Sequence, residues 1–414
     1  MRWVICALLF MATVLAYVDR SVIGYLEKFL EGVIPGLNSI QYGDITTAFQ
    51  IAYAIGLVVA GGLTDKLGTR LAFALAITLW SVAAMLPGAA HTVRGLAAAM
   101  FLLGICEAAN FPACIKTVAE WFPQAERALA TGIFNSGAGI GTLIVPFVVT
   151  FFTLHFSWRV AFIATGAAGC VWLLAWLALY KKPEEHPRVS VAELRLIQSD
   201  RVQPAGRVPW ADLLPVKETW AFSSGKFLTD PIWWFWLFWL PRYLQGTFHL
   251  NLSQSQLPVT TVWLLSIVGS VAAGWLPAFL LGRGKSANVA RKITMLICAL
   301  AVVPVIYAPF CHQLWVVVGL VGLAAAAHQG WSANIFTLPS DVFPKAAVAS
   351  VVGIGGMSGA VGGALLQFAA GHIVAWTHSY LILFAIACSA YLVALAVIHA
   401  LAPRLAPAVL PTNH

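Results

Sequence analysis

Charged residues are scarce in this sequence. They make up only 10% of the 414 residues, whereas 60% of the residues are hydrophobic. This number of charges is too small to cover the surface of a water-soluble domain. The composition therefore excludes a water-soluble globular protein and is typical of a polytopic helical membrane protein. Apolar runs of about 20 residues, the length that crosses a bilayer as a helix, recur about twelve times.

Several chemical signatures are also missing. The seven cysteines lie scattered in apolar runs without a CxxC pair or metal-ligand spacing, so we interpret them as small core residues and predict no metal. We find no strand pattern, nucleotide-binding loop, catalytic triad or nucleic-acid module, and therefore predict no enzyme, no cofactor and no nucleic-acid partner. The first apolar run carries Asp19-Arg20 and lacks an A-x-A-like exit, so no cleavable signal peptide is predicted.

The basic residues follow a pattern. The net charge is +8, and its placement between apolar runs fits the positive-inside rule better than a nucleic-acid surface. The loops on one side carry Lys66, Arg70, Arg127, the basic residues within 181–217 and 283–292, and Lys345. The opposite loops hold few positive charges, namely Arg94, Arg159 and Arg242. This asymmetry predicts that both termini and the central loop are cytoplasmic.

Twelve membrane helices are predicted in two groups of six. They cover roughly 3–26, 44–65, 71–90, 94–118, 126–152, 158–180, 221–246, 256–281, 291–310, 313–337, 346–371 and 378–401. We divide the chain into an N-terminal six-helix bundle (1–180), a cytoplasmic linker (181–217) and a C-terminal six-helix bundle (218–414). The linker is polar and proline-containing, and we predict a solvated tether with a short amphipathic helix in VSVAELRLIQSD.

Glu107 is out of place in its apolar surroundings. A carboxylate at membrane depth costs roughly 2.5–3.5 kcal/mol on insertion scales, so such a residue usually faces a bundle interior or a wet cavity. Asn110 falls about one helical turn later, on nearly the same face. We therefore predict a polar functional position in the fourth helix.

The two halves of the chain show the same design. Phe343-Pro344 in the second half repeats Phe122-Pro123 of the first half. When the halves are aligned on these two motifs, the pairs Glu120 and Asp341, Gly132 and Gly353, Gly141 and Gly362, and Glu107 and His328 correspond. Repeated membrane bundles are typical of secondary transporters, so each half is expected to carry a titratable group at the same depth of its fourth helix.

The segment GGLTDKLGTR at 61–70 follows the second predicted helix and resembles the helix 2–3 loop of the major facilitator superfamily, G-x-x-x-D-[RK]-x-G-x-[RK]. The resemblance implies a conformational latch in which Asp65 meets the N-terminus of helix 11, where the helix dipole favours an anion. The latch candidates are Gly61, Asp65, Lys66, Gly68, Arg70 and Arg127. A simple loop with topogenic charge is the alternative. The second-half counterpart, around Gly274 to Lys292, lacks the acidic residue.

Two further motifs narrow the resemblance. Tyr17-Val18-Asp19-Arg20 and the run from Glu107 to Arg127 are similar to the anion:cation symporter family within that superfamily. Long matches at 209–244, 324–344 and 350–363 resemble the bacterial hexuronate transporters. Met100 is a departure, because some sugar-acid relatives carry an arginine there. The alternative for Asp19-Arg20 is an ordinary helix end at the outer interface, where both side chains snorkel.

The resemblance implies an all-α major facilitator fold with helices 1, 4, 7 and 10 lining a cavity, and a monomer in the bacterial cytoplasmic membrane. It implies proton-coupled uptake of a hexuronate anion such as galacturonate or glucuronate by alternating access, with Asp19 and Glu107 as proton carriers. Asp19 beside Arg20 is expected to stay ionised, whereas Glu107 in apolar surroundings is expected to protonate more readily. Alternatives are sodium coupling, an importer of aldonates, aldarates or other organic anions, and a transporter-like sensor.

A uronic acid needs a cation for its carboxylate, polar groups for its hydroxyls and an aromatic wall for its ring. Arg20 suits the carboxylate because its planar fork can bind both oxygens. The other candidates are Tyr17, Tyr53, Asn110, Lys116 and Asn135 in the first half, and Lys226, Asp230, Trp233, His328, Gln329, Trp331, Ser332 and Asn334 in the second. Trp331 could stack on the sugar. Packing is the alternative for the tryptophans, a satisfied interior histidine for His328, and snorkelling for Lys116.

Overall fold

The computed structural model describes residues 1–198, 209–405 and 408, without the side chains at 61–66, 124, 125, 128, 270–274, 278, 281, 287, 345, 346 and 349. The chain divides into two compact units, Met1–Gln203 and Pro204–His414. All the regular elements among the described residues are helical.

The helices of the N-terminal unit are connected by short turns. They are α1 Arg2–Glu31, α2 Ser39–Leu67, α3 Thr69–Ala89, α4 Val93–Glu107, α5 Asn110–Trp121, α6 Gln124–His155, α7 Trp158–Leu179 and α8 Val191–Gln198. A short 3-10 turn, Pro183–Glu185, precedes α8. The amphipathic helix predicted in the linker is therefore present as α8.

The C-terminal unit repeats the pattern of long and interrupted helices. Its helices are α9 Trp210–Leu213, α10 Lys217–Thr247, α11 Leu252–Gly282, α12 Ala287–Val302, α13 Leu314–Ile335, α14 Leu338–Val342, α15 Lys345–Thr377 and α16 Leu381–Leu401. A 3-10 segment, Val303–Phe310, continues α12.

The chain is a multi-pass membrane protein. Ten spans among the described residues are long and apolar enough to cross a bilayer. Two further helices, α10 and α11, are each 31 residues long and occupy the positions of the seventh and eighth predicted helices. The predicted all-α architecture of about twelve membrane helices is thereby confirmed.

The helix boundaries recur at the spacing that the repeated Phe-Pro motifs predicted. Val93 and Leu314 begin α4 and α13, and α6 and α15 begin at Gln124 and Lys345. The packing partners recur as well, because α1 packs on α6 and α2 on α4, as α10 packs on α15 and α11 on α13. Each unit therefore has the same internal arrangement of helices.

Glycines set the close helix contacts that position the site in the N-terminal unit. A Cβ atom added to Gly104 of α4 would clash with the Phe49 carbonyl oxygen of α2. A Cβ added to Gly141 of α6 would lie 2.6 Å from the Val14 carbonyl oxygen of α1. Such approaches suit membrane helices, where small residues let backbones pack closely. They hold α2 against α4 and α1 against α6.

Two predicted features differ in the structure. Helix α1 continues to Glu31, so Asp19 and Arg20 lie well inside it and are both buried, and the helix-end interpretation of this pair was wrong. The fourth predicted helix is interrupted after Glu107 and resumes at Asn110. Ala108 and Ala109 keep right-handed helical backbone angles between the two segments, which form one apolar span, Val93–Trp121.

Candidate functional site

A buried ion pair joins α1 to α4. The Arg20 Nε atom donates to Glu107 Oε1 at 2.7 Å, and Nη2 donates to the same oxygen. The side chains of Arg20 and Glu107 are 1% and 0% exposed. Removing one partner of a buried pair costs about 3–5 kcal/mol, because the remaining charge is left uncompensated. Each residue therefore holds the other in position while both are charged.

Aromatic rings complete the surroundings of Arg20. Its guanidinium carbon lies 4.4 Å from the ring centre of Tyr17, 5.1 Å from Tyr53 and 5.7 Å from Phe49. Phe49 and Tyr53 are one turn apart on α2 and stack with ring centres 6.0 Å apart. The rings favour a cation electrostatically and shield it from water. Two of the predicted residues, Tyr17 and Tyr53, are therefore brought to Arg20.

Asp19 is adjacent to Arg20 in the sequence, but its hydrogen-bond donor is a tryptophan of another helix. Its Oδ2 atom accepts a hydrogen bond from the fully buried Trp80 indole of α3 at 3.2 Å. Arg20 is engaged by Glu107 instead. Successive residues of a helix point about 100° apart, so adjacent charges do not face each other. The hydrogen bonds of Arg20 therefore go to Glu107 of α4, and the expected ionised state of Asp19 stays a prediction.

The other candidates in the N-terminal unit are more dispersed. Asn110 is buried, and its Nδ2 atom has no hydrogen-bond partner among the described residues. The Cys114 thiol lies 3.6 Å from its Oδ1 atom. Asn135 of α6 is exposed and Lys116 of α5 is half-buried. Asn110, which follows the interruption after Glu107, is the member of this group with unused hydrogen-bonding capacity.

The C-terminal unit has its own buried cation. Lys226 Nζ lies 2.7 Å from Asp230 Oδ2, one turn later on α10, and 4.0 Å from the ring centre of Phe336. A Cβ added to Gly359 of α15 would clash with the same Asp230 oxygen. A larger residue at that position would require the Asp230 side chain to shift. The charge of Lys226 is thus balanced within its own helix.

His328 belongs to an aromatic cluster. Its Nδ1 atom lies 2.6 Å from the Tyr391 hydroxyl, and its ring stacks on Trp233 with centres 5.0 Å apart. Trp331 is fully buried, with its indole nitrogen donating to Thr229 Oγ1 at 3.1 Å. These contacts support the interior-histidine interpretation of His328 and packing roles for both tryptophans. Trp331 has no exposed face in this structure, and its role as a sugar platform stays a prediction.

The remaining candidates of the C-terminal unit lie on α13. Gln329 and Ser332 are half-buried. Asn334 is buried and donates from Nδ2 to the Gly330 carbonyl oxygen of its own helix at 2.9 Å. Their assignment to the substrate site stays a prediction.

The predicted latch is described only in part. Gly61, Asp65 and Lys66 lie within 61–66, whose side chains are outside the described residues. Gly68 has a φ of +76° between α2 and α3, a conformation that favours glycine.

The two latch arginines bind helix ends within the N-terminal unit. Arg70 donates to the Leu177 carbonyl oxygen at 2.8 Å. Arg127 donates to the Phe122 and Ala119 carbonyl oxygens at 3.0 Å each, where it satisfies the open end of α5.

Sequence reasoning missed several partners at this site. Phe49 could have been found, because it lies four residues before Tyr53 on the same helix face. Trp80 and Tyr391 offered no such signal, since each pairs with a residue more than 60 positions away. Long-range partners of this kind leave no local pattern in one sequence.

Comparison with known proteins places the chain in a family. Residues 9–367 match the model of the Major Facilitator Superfamily. The hexuronate transporter of Escherichia coli (strain K12) is 31% identical over 365 residues, 86% of this chain and 84% of that protein. The galacturonate transporter of Dickeya chrysanthemi is 30% identical over 309 residues, 73% of this chain and 89% of that protein.

The fold agrees with this assignment. The inward-open structure of the xylose transporter XylE from E. coli aligns with a TM-score of 0.73 at 15% identity, over 96% of each chain. Its low identity supports the fold alone, whereas the family match and the sugar-acid relatives support a transport role. The chain belongs to the major facilitator superfamily of membrane transporters.

Proposed function

We propose that this protein is a proton-coupled symporter that imports hexuronates such as galacturonate or glucuronate by alternating access. It acts as a monomer in the bacterial cytoplasmic membrane, with both termini and the central loop in the cytoplasm. The observation that carries the proposal is the buried pair of Arg20 and Glu107, in which one carboxylate occupies the cation that a sugar acid needs.

The chemistry follows from competition for one guanidinium group. Glu107 binds Arg20 through a single oxygen, and its Oε2 atom has no hydrogen-bond partner among the described residues. A proton on Glu107 would remove its charge and weaken its hold on Arg20. The substrate carboxylate could then take both donors of the guanidinium fork. Binding of the proton and binding of the anion thereby favour each other.

Asp19 supplies a second proton-binding carboxylate. It is buried beside the ion pair, and a neutral indole donates to it rather than a cation. An ionised carboxylate in such a place is costly, so protonation accompanies a state in which the cavity is closed to water. The higher cytoplasmic pH then favours release of the protons and of the anion.

The balance of buried charge favours an acid with one carboxylate. Arg20 serves one carboxylate, Met100 provides no second cation on α4, and Lys226 is already balanced by Asp230. An aldarate has two carboxylates and would need a further cation. The relatives that transport hexuronates and galacturonate support the same choice.

The test is uptake of labelled galacturonate into membrane vesicles under an imposed pH gradient. The parent protein is expected to accumulate substrate only when the outside is acidic, and an imposed sodium gradient is expected to have no effect. Preference for glucarate or galactonate over both hexuronates would replace the proposed substrate. Accumulation driven by sodium would replace the proposed coupling ion.

The variant Glu107→Gln sharpens the test, because glutamine mimics the protonated carboxyl permanently. Substrate binding and exchange across the membrane should survive, since neither requires proton release, whereas accumulation driven by the pH gradient should disappear. Glu120→Gln is the control, because Glu120 lies near the end of α5, outside the ion pair, and accepts hydrogen bonds from Thr69 and Tyr180. If Glu107→Gln accumulates substrate like the parent protein, coupling passes to Asp19 or His328.

A further inference from the structure

Gln50 of α2 is a buried amide with unused hydrogen-bonding capacity. It is 0% exposed, and neither Oε1 nor Nε2 has a hydrogen-bond partner among the described residues. The buried Gln367 of α15 differs in one atom, because its Oε1 accepts from the Trp239 indole at 2.7 Å, whereas its Nε2 also has no partner among the described residues. Most buried polar side-chain atoms have a partner, so each exception requires an explanation.

The position of Gln50 relates it to the ion pair. It directly follows Phe49 and lies three residues before Tyr53, the two α2 rings that lie near the Arg20 guanidinium. At about 100° per residue, the side chains of Gln50 and Tyr53 project only about 60° apart. Gln50 therefore belongs to the turn of α2 that supplies the aromatic surroundings of Arg20.

The contact between α2 and α4 brings other unfilled polar atoms to this region. Gly104 packs against the Phe49 carbonyl group, three residues before Glu107. Glu107 Oε2 and Asn110 Nδ2 are also buried without a partner among the described residues. Acceptors and donors with unused capacity thus lie on the same two helices as the surroundings of Arg20, the cation proposed for the carboxylate.

A buried amide without hydrogen-bond partners destabilises the folded protein. A buried polar group without a partner loses its hydrogen bonds to water and gains none in return. A ligand with hydroxyl groups would supply the missing hydrogen bonds, since each hydroxyl both donates and accepts. The amide offers one acceptor and two donors, which can meet two neighbouring hydroxyls of a sugar.

We propose that Gln50 recognises hydroxyl groups of the sugar acid whose carboxylate binds Arg20. This inference rests on the proposed function and adds a specificity-determining residue to its site. Arg20 would select for a carboxylate, and Gln50 would select for a hydroxylated acid over an apolar acid of similar size.

The decisive variant is Gln50→Met, which keeps an unbranched side chain of similar length and removes both polar atoms. Binding to purified protein is measured at equilibrium with galacturonate, glucuronate and cyclohexanecarboxylate, an acid without hydroxyls. The Kd for both uronates is expected to rise about 5- to 30-fold, which corresponds to one or two hydrogen bonds. The Kd for cyclohexanecarboxylate is expected to stay the same.

Stability without ligand supplies a second readout. Because Gln50→Met removes an amide that has no partner, the melting temperature of the unliganded protein should rise by about 1–3 °C. The matched control, Gln367→Met, removes the partner of Trp239 and should lower the melting temperature instead. A residue with a purely structural hydrogen bond would behave like Gln367.

The outcomes separate this inference from the function it rests on. Equal uronate affinity in the parent protein and Gln50→Met would overturn the role of Gln50 and leave the transport proposal intact. Parallel losses for the uronates and cyclohexanecarboxylate would also overturn it, because they indicate general distortion. If the parent protein binds no sugar acid at all, both proposals fail. Should Gln50→Met fail to fold, Gln50→Leu takes its place with the same expected pattern.

Discussion

The two units place different chemistry at equivalent positions. Gly141 packs on the Val14 carbonyl group, and its counterpart Gly362 packs on the Phe227 carbonyl group, so Val14 and Phe227 are equivalent points on the first helix of each unit. Arg20 lies as many residues after Val14 as Trp233 lies after Phe227. Trp233 is therefore the counterpart of Arg20. His328 is the counterpart of Glu107. Where the N-terminal unit has a buried ion pair, the C-terminal unit has a stacked pair of aromatic rings.

Features that recur in both units are required by the shared packing of the helices, and features found in one unit are not. The close glycine contacts and helix boundaries recur, so they belong to the packing of each bundle. The ion pair does not recur, and a stacked Trp233–His328 pair fills the same place without a buried charge. A charge that packing does not require is costly at membrane depth and is best explained by function. We therefore expect substitutions at the two positions to have unlike consequences.

The largest effect is expected for Arg20→Lys. A lysine ammonium is a point charge that cannot reproduce the planar fork, and it would leave Glu107 imperfectly paired. Binding of galacturonate should weaken by about 30-fold or more, because damage to a buried, hydrogen-bonded charge pair between protein and ligand costs about 2 kcal/mol or more. Equilibrium binding to the purified variant measures this loss.

Arg159→Lys is the control for that substitution. Arg159 also packs on an aromatic ring, with its guanidinium carbon 4.4 Å from the ring centre of Trp158, but it is only half-buried at the start of α7 and lies outside the ion pair. It should retain parental binding. Near-normal binding by Arg20→Lys would move the carboxylate site elsewhere, and Lys226 would become the next candidate.

Much of the fold could be predicted from the sequence, because it depends on local patterns. Apolar runs located the membrane helices, and the Phe-Pro pairs located matching helix ends at Phe122 and Phe343. The interruption after Glu107 could not be predicted, since Ala108 and Ala109 are good helix formers. Only tertiary packing distinguishes that break from a continuous helix.

The sequence indicated which residues belong to the candidate site but not which of them contact each other. Arg20 and Glu107 were both identified as unusual charges in apolar helices, yet they are 87 residues apart and their contact has no local signal. Proximity in sequence instead suggested Asp19 as the partner of Arg20. Gln50 was missed because a single glutamine in a helix becomes informative only when its burial and lack of partners are known.

A smaller effect is expected for His328→Gln, which tests the comparison directly. The substitution removes the ring that stacks on Trp233 and disturbs the contact with the Tyr391 hydroxyl. The folded state should lose about 1–2 kcal/mol, the sum of an aromatic contact and a hydrogen bond. Accumulation of galacturonate under a pH gradient should persist, in contrast to Glu107→Gln. Thermal unfolding measures the loss of stability, and vesicle uptake measures the accumulation of galacturonate. Tyr391→Phe serves as a milder control. Loss of accumulation with intact binding would show that His328 carries a coupling proton.

The smallest effect concerns a second pair of equivalent acids, Glu120 and Asp341, near the ends of α5 and α14. Glu120 accepts hydrogen bonds from Thr69, at 2.6 Å, and from Tyr180. Asp341 instead meets Arg291 at 3.3 Å, in an exposed ion pair.

Exposed pairs contribute about 0–1 kcal/mol and are screened by salt, whereas hydrogen bonds from two hydroxyls depend little on salt. Asp341→Asn should therefore lower the melting temperature slightly in dilute buffer and not at all in about 1 M salt, which shortens the screening length to about 3 Å. Glu120→Gln should lower it by the same, larger amount at both salt concentrations. Thermal unfolding of the two variants in both buffers measures the difference. If the effect of Asp341→Asn persists in high salt, the exposed pair stabilises the C-terminal unit by more than charge attraction, and the two acids are closer in role than their contacts indicate.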